Sequence, residues 1–280
     1  MPSKKEIKLR IESVTTTRQV VKAMNMVAAS RHQRLKAQLD TSRQLYGEAE
    51  RMMTSIRGSF EARNSEYFRP KKVGKKAIVV VVGDRGLCGS YNTNVLNTAL
   101  SYMEAKEEQL VVIGIKGKDF FARYNKDIVR HYPGSTESNR YDFAMNIGAE
   151  VESWYRSGVV DEIHIVYTHY ETPLSYIPRA VKLLPLAAGA NEGWSTHVIF
   201  EPNATACLQS VISKYLGILV FNSIVESNTC EQASRMVNMN AASNSASDII
   251  VDLTRSLNRK RQAAITQEIS EIINSANMTK

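Results

Sequence analysis

The placement of the chain-breaking residues limits what this sequence can fold into. All seven prolines (Pro2, Pro70, Pro133, Pro173, Pro178, Pro185 and Pro202) lie outside residues 3–69 and 203–280, and eleven of the fourteen glycines lie between Gly74 and Gly193. Proline removes a helical amide donor and clashes with the preceding turn, and glycine weakens a helix by its freedom. Both ends can therefore form long helices, and the middle cannot.

The N-terminal segment carries a seam. Steps of four and three from Ile7 visit Ile7, Ile11, Val14, Arg18, Val21, Asn25, Ala28, His32, Leu35, Leu39, Ser42, Tyr46, Ala49, Met53 and Ile56, of which eleven are apolar. A 3.5-residue repeat marks a helix lying along another helix. A helix over 3–57 would be about 80 Å long and one over 205–277 about 110 Å, at 1.5 Å per residue. The second has its own seam, from Val211, Tyr215, Ile218 and Val225 through Met236, Met239, Ala246, Ile250, Leu253 and Leu257. Its phase then slips to Ile265, Ile269, Ile272 and Ala276, and Gly217 and the polar stretch 240–247 are weak interruptions at most. Each helix is the other's natural partner in an antiparallel coiled coil, the C-terminal one reaching further.

The middle alternates between strand and helix patterns. Residues 77–82 are apolar throughout, as buried parallel strands are. Helices are predicted at 93–107, 117–125 and 139–157, with further strands at 110–115, 127–132 and 163–167 and edge strands at 179–186 and 196–200. The predicted fold class is α/β: an open, Rossmann-like sheet domain carried between two long helices. The predicted divisions are 1–70, 71–202 and 203–280.

Charge is uneven. Residues 1–76 hold 18 Lys/Arg against 7 Asp/Glu, and the remaining residues hold 18 against 21. The basic excess belongs to the first helix and predicts an acidic partner. Nucleic acid is one class of partner, in a basic coiled-coil binding protein. Only Tyr46 is aromatic within residues 1–59, which leaves little for base stacking. No run of about 18 uncharged apolar residues predicts a membrane span. The charged N-terminus lacks the apolar core of a secretory signal. Three distant cysteines, Cys88, Cys207 and Cys230, form neither a disulfide framework nor a zinc motif.

Few motifs suggest chemistry. The turn from Gly83 to Ser90 has glycines at the wrong spacing for a dinucleotide or P-loop motif, and a tight strand-to-helix connection explains it. Five scattered histidines meet no metal-ligand spacing, and His164 and His169 should face opposite sides of one strand. Cys88 near a helix start reads as a small buried residue. Met24, Met26, Met236 and Met239 sit on the long helices, either as packing or as an adaptable contact surface.

Three stretches together, with a supporting one that begins at Arg235, resemble the gamma subunit of the F-type ATP synthase. They are Lys22-Ala23-Met24-Asn25-Met26-Val27-Ala28-Ala29-Ser30, Asp84-Arg85-Gly86-Leu87-Cys88-Gly89, Arg235-Met236-Val237-Asn238-Met239, and Arg261-Gln262-Ala263-Ala264-Ile265-Thr266-Gln267-Glu268. They follow the family's order and span the chain. Ser90, Asn238, Ser275 and Met278 depart from its usual residues. The absence of a transit segment and of a plastid-type cysteine pair points to the bacterial form. The resemblance implies a rotor subunit whose two helices stand inside a ring of alpha and beta subunits. Its α/β domain would sit at the foot with epsilon and the membrane c-ring, on the cytoplasmic face of the bacterial membrane. It implies no bond chemistry, cofactor, metal or nucleic acid. By position in the motifs, Met24, Arg261 and Gln262 would contact beta, with Arg261 and Gln262 acting as a catch, and Glu201 in the segment 200–202 would contact the c-ring.

Overall fold

The computed structural model describes residues 3–278 except 58, 60, 61, 63, 70, 72, 73, 104–106, 137, 188–200 and 202. Two helices frame it: α1, Lys4–Arg57, of 54 residues, and α5, Ala204–Met278, of 75 residues. Each start is set by a side chain that satisfies a free helical amide. Ser3 Oγ accepts from Glu6 N at 3.2 Å while Ser3 N donates to Glu6 Oε2 at 2.8 Å, a reciprocal capping box. Asn203 Oδ1 accepts from Ala206 N at 2.9 Å. Neither Gly217 nor the polar stretch 240–247 interrupts α5.

Between them lie β1 (Lys75–Val81), α2 (Tyr91–Ser101), β2 (Glu107–Ile113), α3 (Ile115–Arg123), β3 (Ile128–Tyr132), α4 (Arg140–Arg156), β4 (Glu162–Tyr170) and β5 (Tyr176–Leu184). The five strands form one sheet, ordered β3-β2-β1-β4-β5, with β5 alone antiparallel to its neighbour. Several boundaries differ from the sequence reading: β4 runs on to Tyr170 and β5 begins at Tyr176, and two other shifts have a visible cause. α2 stops at Ser101, where Tyr102 and Met103 turn back to the carbonyls of Ala99 and Leu100. β2 starts earlier than expected, because residues 107–109 pair in register with Lys75, Lys76 and Ala77 of β1. The expected strand at 196–200 lies outside the described residues.

The chain forms two compact units, Ser30–Arg235 and Met1–Ala29 with Met236–Lys280. In the first, β1 is buried on both faces, and its side chains alternate between two cores. Ile78, Val80 and Val82 join Val95, Leu96 and Ala99 of α2 and Phe121 of α3. Val79 and Val81 join Ile147 and Val151 of α4, Leu39 and Met53 of α1, and Ile212, Leu216 and Ile224 of α5. By length and hydropathy, part of α5 passes as a membrane span. Its residues Ile212, Leu216, Val220 and Ile224 fill this core instead. α4 and α5 cross at glycines: a Cβ at Gly148 would lie 2.7 Å from Gly217 Cα. The Gly217 that reads as a weak point in the sequence is therefore a contact.

In the second unit, Ile7 and Ala28 of α1 and Met239 and Ala246 of α5 are buried, and Arg18 Nη1 donates to Ser247 Oγ at 3.4 Å. Along α1 as a whole, every one of the fifteen seam positions is buried or half-buried. The helices run antiparallel: within the larger unit Ser42 meets Asn222, and Glu50 meets Tyr215.

Candidate functional site

The seam fixes which residues of the helical pair face outward. Val21, Asn25 and Ala28 lie on the buried seam, so Val20, Met24 and Val27, each one residue and about 100° round the helix from it, form a stripe on its flank, 50%, 40% and 53% exposed. Met26 is exposed as well, whereas Met239 is buried and Met236 half-buried. The two methionine pairs thus divide: the C-terminal pair packs, and the N-terminal pair is presented. Lys5, Lys8, Arg10 and Lys22 are also exposed on α1. An exposed apolar stripe among cations suits an acidic, partly apolar partner.

Arg261 and Gln262 mark the place where pairing ends. Fourteen residues before Arg18 is Lys4, the first residue of α1, and fourteen after its contact Ser247 is Arg261. Leu253 and Leu257 are still half-buried, but every residue from 261 to 274 is exposed. The phase slip read in the sequence is therefore not a continued seam against α1. Ile265, Ile269, Ile272 and Ile273 stand 48% to 66% exposed on one side of α5. An exposed apolar row at helical spacing is the kind of patch that protein contacts cover. Arg261 and Gln262 open this segment, both exposed.

Glu201 belongs to the other unit. It is exposed just before α5, and its carbonyl accepts from Cys207 Sγ at 2.8 Å. Its neighbours Phe200 and Pro202 lie outside the described residues. The structure thus places Met24, Arg261 and Gln262 in one unit and Glu201 in the other.

Sequence reasoning missed the polar joints that hold α1, α5 and the sheet together. Glu226 of α5, its carboxylate 3% exposed, accepts from Arg43 Nε at 3.0 Å and from the backbone N–H of Tyr170 at 3.3 Å, and lies 2.7 Å from His169 Nδ1. Arg43 also donates to the Tyr170 carbonyl at 2.5 Å. His32 meets the Tyr170 hydroxyl at 3.2 Å, and burial followed by the charge of Lys36 holds its pKa below the usual value. Tyr215 donates to Glu50 at 2.5 Å, and burial, then that hydrogen bond, pushes the phenol pKa up. The signals were present as charged or polar residues near an apolar seam, but partners 56 to 183 residues apart cannot be paired from sequence alone.

The glycine-rich turn after β1 is a joint of the same kind. Gly83 N donates to Asn92 Oδ1 at 2.9 Å, Ser234 Oγ donates to the Cys88 carbonyl at 2.7 Å, and Arg235 Nη2 donates to the Gly86 carbonyl at 3.1 Å. Gly83 lets the turn lie on the Glu231 carboxylate, which a Cβ there would meet at 2.8 Å. Two of the motif stretches therefore touch, and the turn gives the carbonyls of Gly86 and Cys88 to α5. His169 and His164 do face opposite ways, towards Glu226 of α5 and the Tyr102 ring after α2. Cys88 is buried, and burial pushes its thiol pKa up. Among the described residues no group of three His, Cys, Asp or Glu side chains is arranged to hold a metal ion.

Comparison with known proteins agrees with this geometry. The sequence profile of the ATP synthase family matches residues 3–278. The ATP synthase gamma chain of Alkaliphilus metalliredigens is 33% identical over 283 residues, covering 98% of each chain. That of Desulforamulus reducens is 34% identical over 279 residues, covering 99% of each. Among solved structures, a chain of the Euglena gracilis mitochondrial ATP synthase in rotational state 3 matches with a TM-score of 0.70 at 17% identity, covering 99% of this chain and 94% of that one. A chain from the central stalk and c-ring of the Tetrahymena thermophila enzyme matches with a TM-score of 0.66 at 24% identity, covering 80% and 99%. At these identities the structural matches speak to the fold.

Proposed function

The chain belongs to the ATP synthase gamma chain family, and on that premise we propose that it is the central-stalk rotor of an F-type ATP synthase. It turns with an ion-driven c-ring and couples that rotation to ATP synthesis or hydrolysis at the catalytic beta subunits. Its partners are the alpha, beta and epsilon subunits and the c-ring. It performs no bond chemistry itself, and it works as a peripheral subunit on the cytoplasmic face of a bacterial membrane. Residues 1–70 and 203–280 serve as shaft and 71–202 as foot.

The helical-pair unit carries this reading. A two-helix pair that presents Val20, Met24 and Val27 on one helix and four isoleucines on the other is built to be surrounded by protein. Met24 meets beta through its adaptable thioether. Arg261 and Gln262 offer a fixed fork of donors and an amide to a beta loop, a catch made in one rotary position and broken in the next. Glu201 contacts the c-ring. The nucleic-acid reading gains no support from relatives that are ATP synthase gamma chains over their whole length.

Isolation through a tag on this chain tests the proposal. Alpha and beta subunits and ATPase activity should come with it. A preparation rich in material absorbing near 260 nm and free of ATPase would overturn it in favour of nucleic-acid binding.

A further inference from the structure

One cleft opens beside the joint between the glycine-rich turn and α5. It lies within the Ser30–Arg235 unit and has a volume of about 560 Å³. Its walls include Gly83, Asp84 and Arg85, which follow β1, and Gly134, Ser135 and Thr136, which join β3 to α4. Ligands of open parallel sheets bind at this level, beyond the carboxyl ends of the strands. The volume is that of a small-molecule site.

Its charge identifies the class of ligand. Five arginines line it: Arg31 and Arg34 from α1, Arg85 from the turn, Arg140 from α4 and Arg235 from α5. Its two carboxylates are already engaged, Asp84 by the backbone N–H groups of Ile115 and Gly134, and Glu231 by Arg235 at 2.5 Å. Arg140 donates to Gln38. Arg34 and Arg85 are exposed and have no acceptor among the described residues, and Arg31 feels Glu231 only through space. The hydroxyl oxygen of Ser135 is buried and meets no partner among the described residues. Gathered guanidinium groups repel one another, and an unpaired buried hydroxyl is costly, so the cleft is complete only with an anion rich in acceptor oxygens. Guanidinium forks fit phosphate oxygens two at a time. The apolar lining is Leu35 and Val82, with no aromatic ring for a base to stack on.

The geometry points to an oligophosphate site: two or three linked phosphates, free or as the chain of a nucleotide, held by Arg34, Arg85 and Ser135 where β1 and β3 end. The glycine-rich turn lacks the glycine spacing of a phosphate loop, and its Gly83 N–H is already given to Asn92 Oδ1. The arginines provide the cradle in its place. The inference is independent of the rotor reading, and its test needs only this chain.

Calorimetric titration of the full chain with tripolyphosphate, without magnesium, is the test. Saturable binding is expected, weakened at least about tenfold in the Arg34→Ala/Arg85→Ala double variant, the scale set by losing charge-assisted hydrogen bonds. The Arg34→Lys/Arg85→Lys variant should recover part of it, and Lys5→Ala/Lys8→Ala, on exposed α1 positions of the other unit, should change nothing. ATP binding as tightly as tripolyphosphate identifies a free oligophosphate as sufficient, and tighter ATP binding identifies a nucleotide. Three results overturn the proposal: no saturable heat at millimolar tripolyphosphate, equal affinity in the Arg34→Ala/Arg85→Ala variant, or displacement by hexaglutamate at equal concentration. The last would make the cleft a reader of acidic peptide.

Discussion

Replacing Gly148 with alanine tests how α5 is seated on the sheet unit. The added Cβ would lie 2.7 Å from both Cα and N of Gly217 and 3.2 Å from the carbonyl carbon of Leu216. These are backbone atoms of another helix and cannot rotate aside, so α4 and α5 must separate by several tenths of an ångström or more. Overpacking of this kind costs about 1–3 kcal/mol. The same change removes a helical glycine, which returns about 0.8–1 kcal/mol. The sum is a loss of up to about 2 kcal/mol, and each kcal/mol is about 2–4 °C of melting temperature in a domain of this size. Gly47 supplies the control: it lies within α1 with nothing inside 4 Å of an added Cβ, so Gly47→Ala gains only the helical preference. Urea unfolding followed by circular dichroism should show Gly148→Ala less stable than the parent and Gly47→Ala more stable. A Gly148→Ala protein as stable as Gly47→Ala would refute the close crossing of the two helices.

Other perturbations address the surfaces and the polar joints. Met24→Lys sets a cation on an exposed position, so assembly should be near normal while ion pumping per ATP falls; unchanged pumping would remove Met24 from the beta contact. Arg261→Ala should lower steady-state ATPase several-fold in an assembled complex, since a partly desolvated charged hydrogen bond contributes roughly 1.5–3 kcal/mol. Arg261→Lys should restore part of that rate and Arg259→Ala should change little; parental turnover in Arg261→Ala would leave Arg261 as a solvated residue. Burial holds the His32 pKa below 6.5, so the stability its neutral ring contributes is full above 6.5 and is lost as pH falls through the lowered value. His32→Gln should flatten the drop in melting temperature between about pH 7 and pH 5, leaving a part owed to His164, whose pKa burial also lowers; an undiminished drop would clear His32.

The long helices were legible because their signal is local and repeated. Fifteen positions read along α1 at a 3.5-residue step all face inward, including Arg18, Asn25, His32 and Ser42, whose polarity gave no hint of it. The β1 strand was legible for the same reason, as an unbroken apolar run. Helix α2 was read six residues too long, because its end is set by a backbone turn and the start of β2 by pairing with β1. Composition at 102–107 shows neither. Ile265, Ile269 and Ile272 kept a helical spacing, and the greater length of the C-terminal helix was legible, but the residue at which pairing stops, near Arg261, was not. The joints through Glu226 and Arg235 were hidden by distance along the chain. Each binds residues on other elements, so their charge read as surface charge until the fold placed them. The outward turn of Met24 followed from the seam, but what it meets is decided by another chain.

Rotation of this chain inside an assembled alpha–beta ring tests the rotor reading directly. With the beta subunits fixed to a surface and a probe attached to an exposed position in the Ser30–Arg235 unit, ATP should drive stepwise turning in one direction. The rate of turning should fall in Arg261→Ala in step with ATPase. A complex that hydrolyses ATP at full rate while the probe stays still would contradict a shaft that turns.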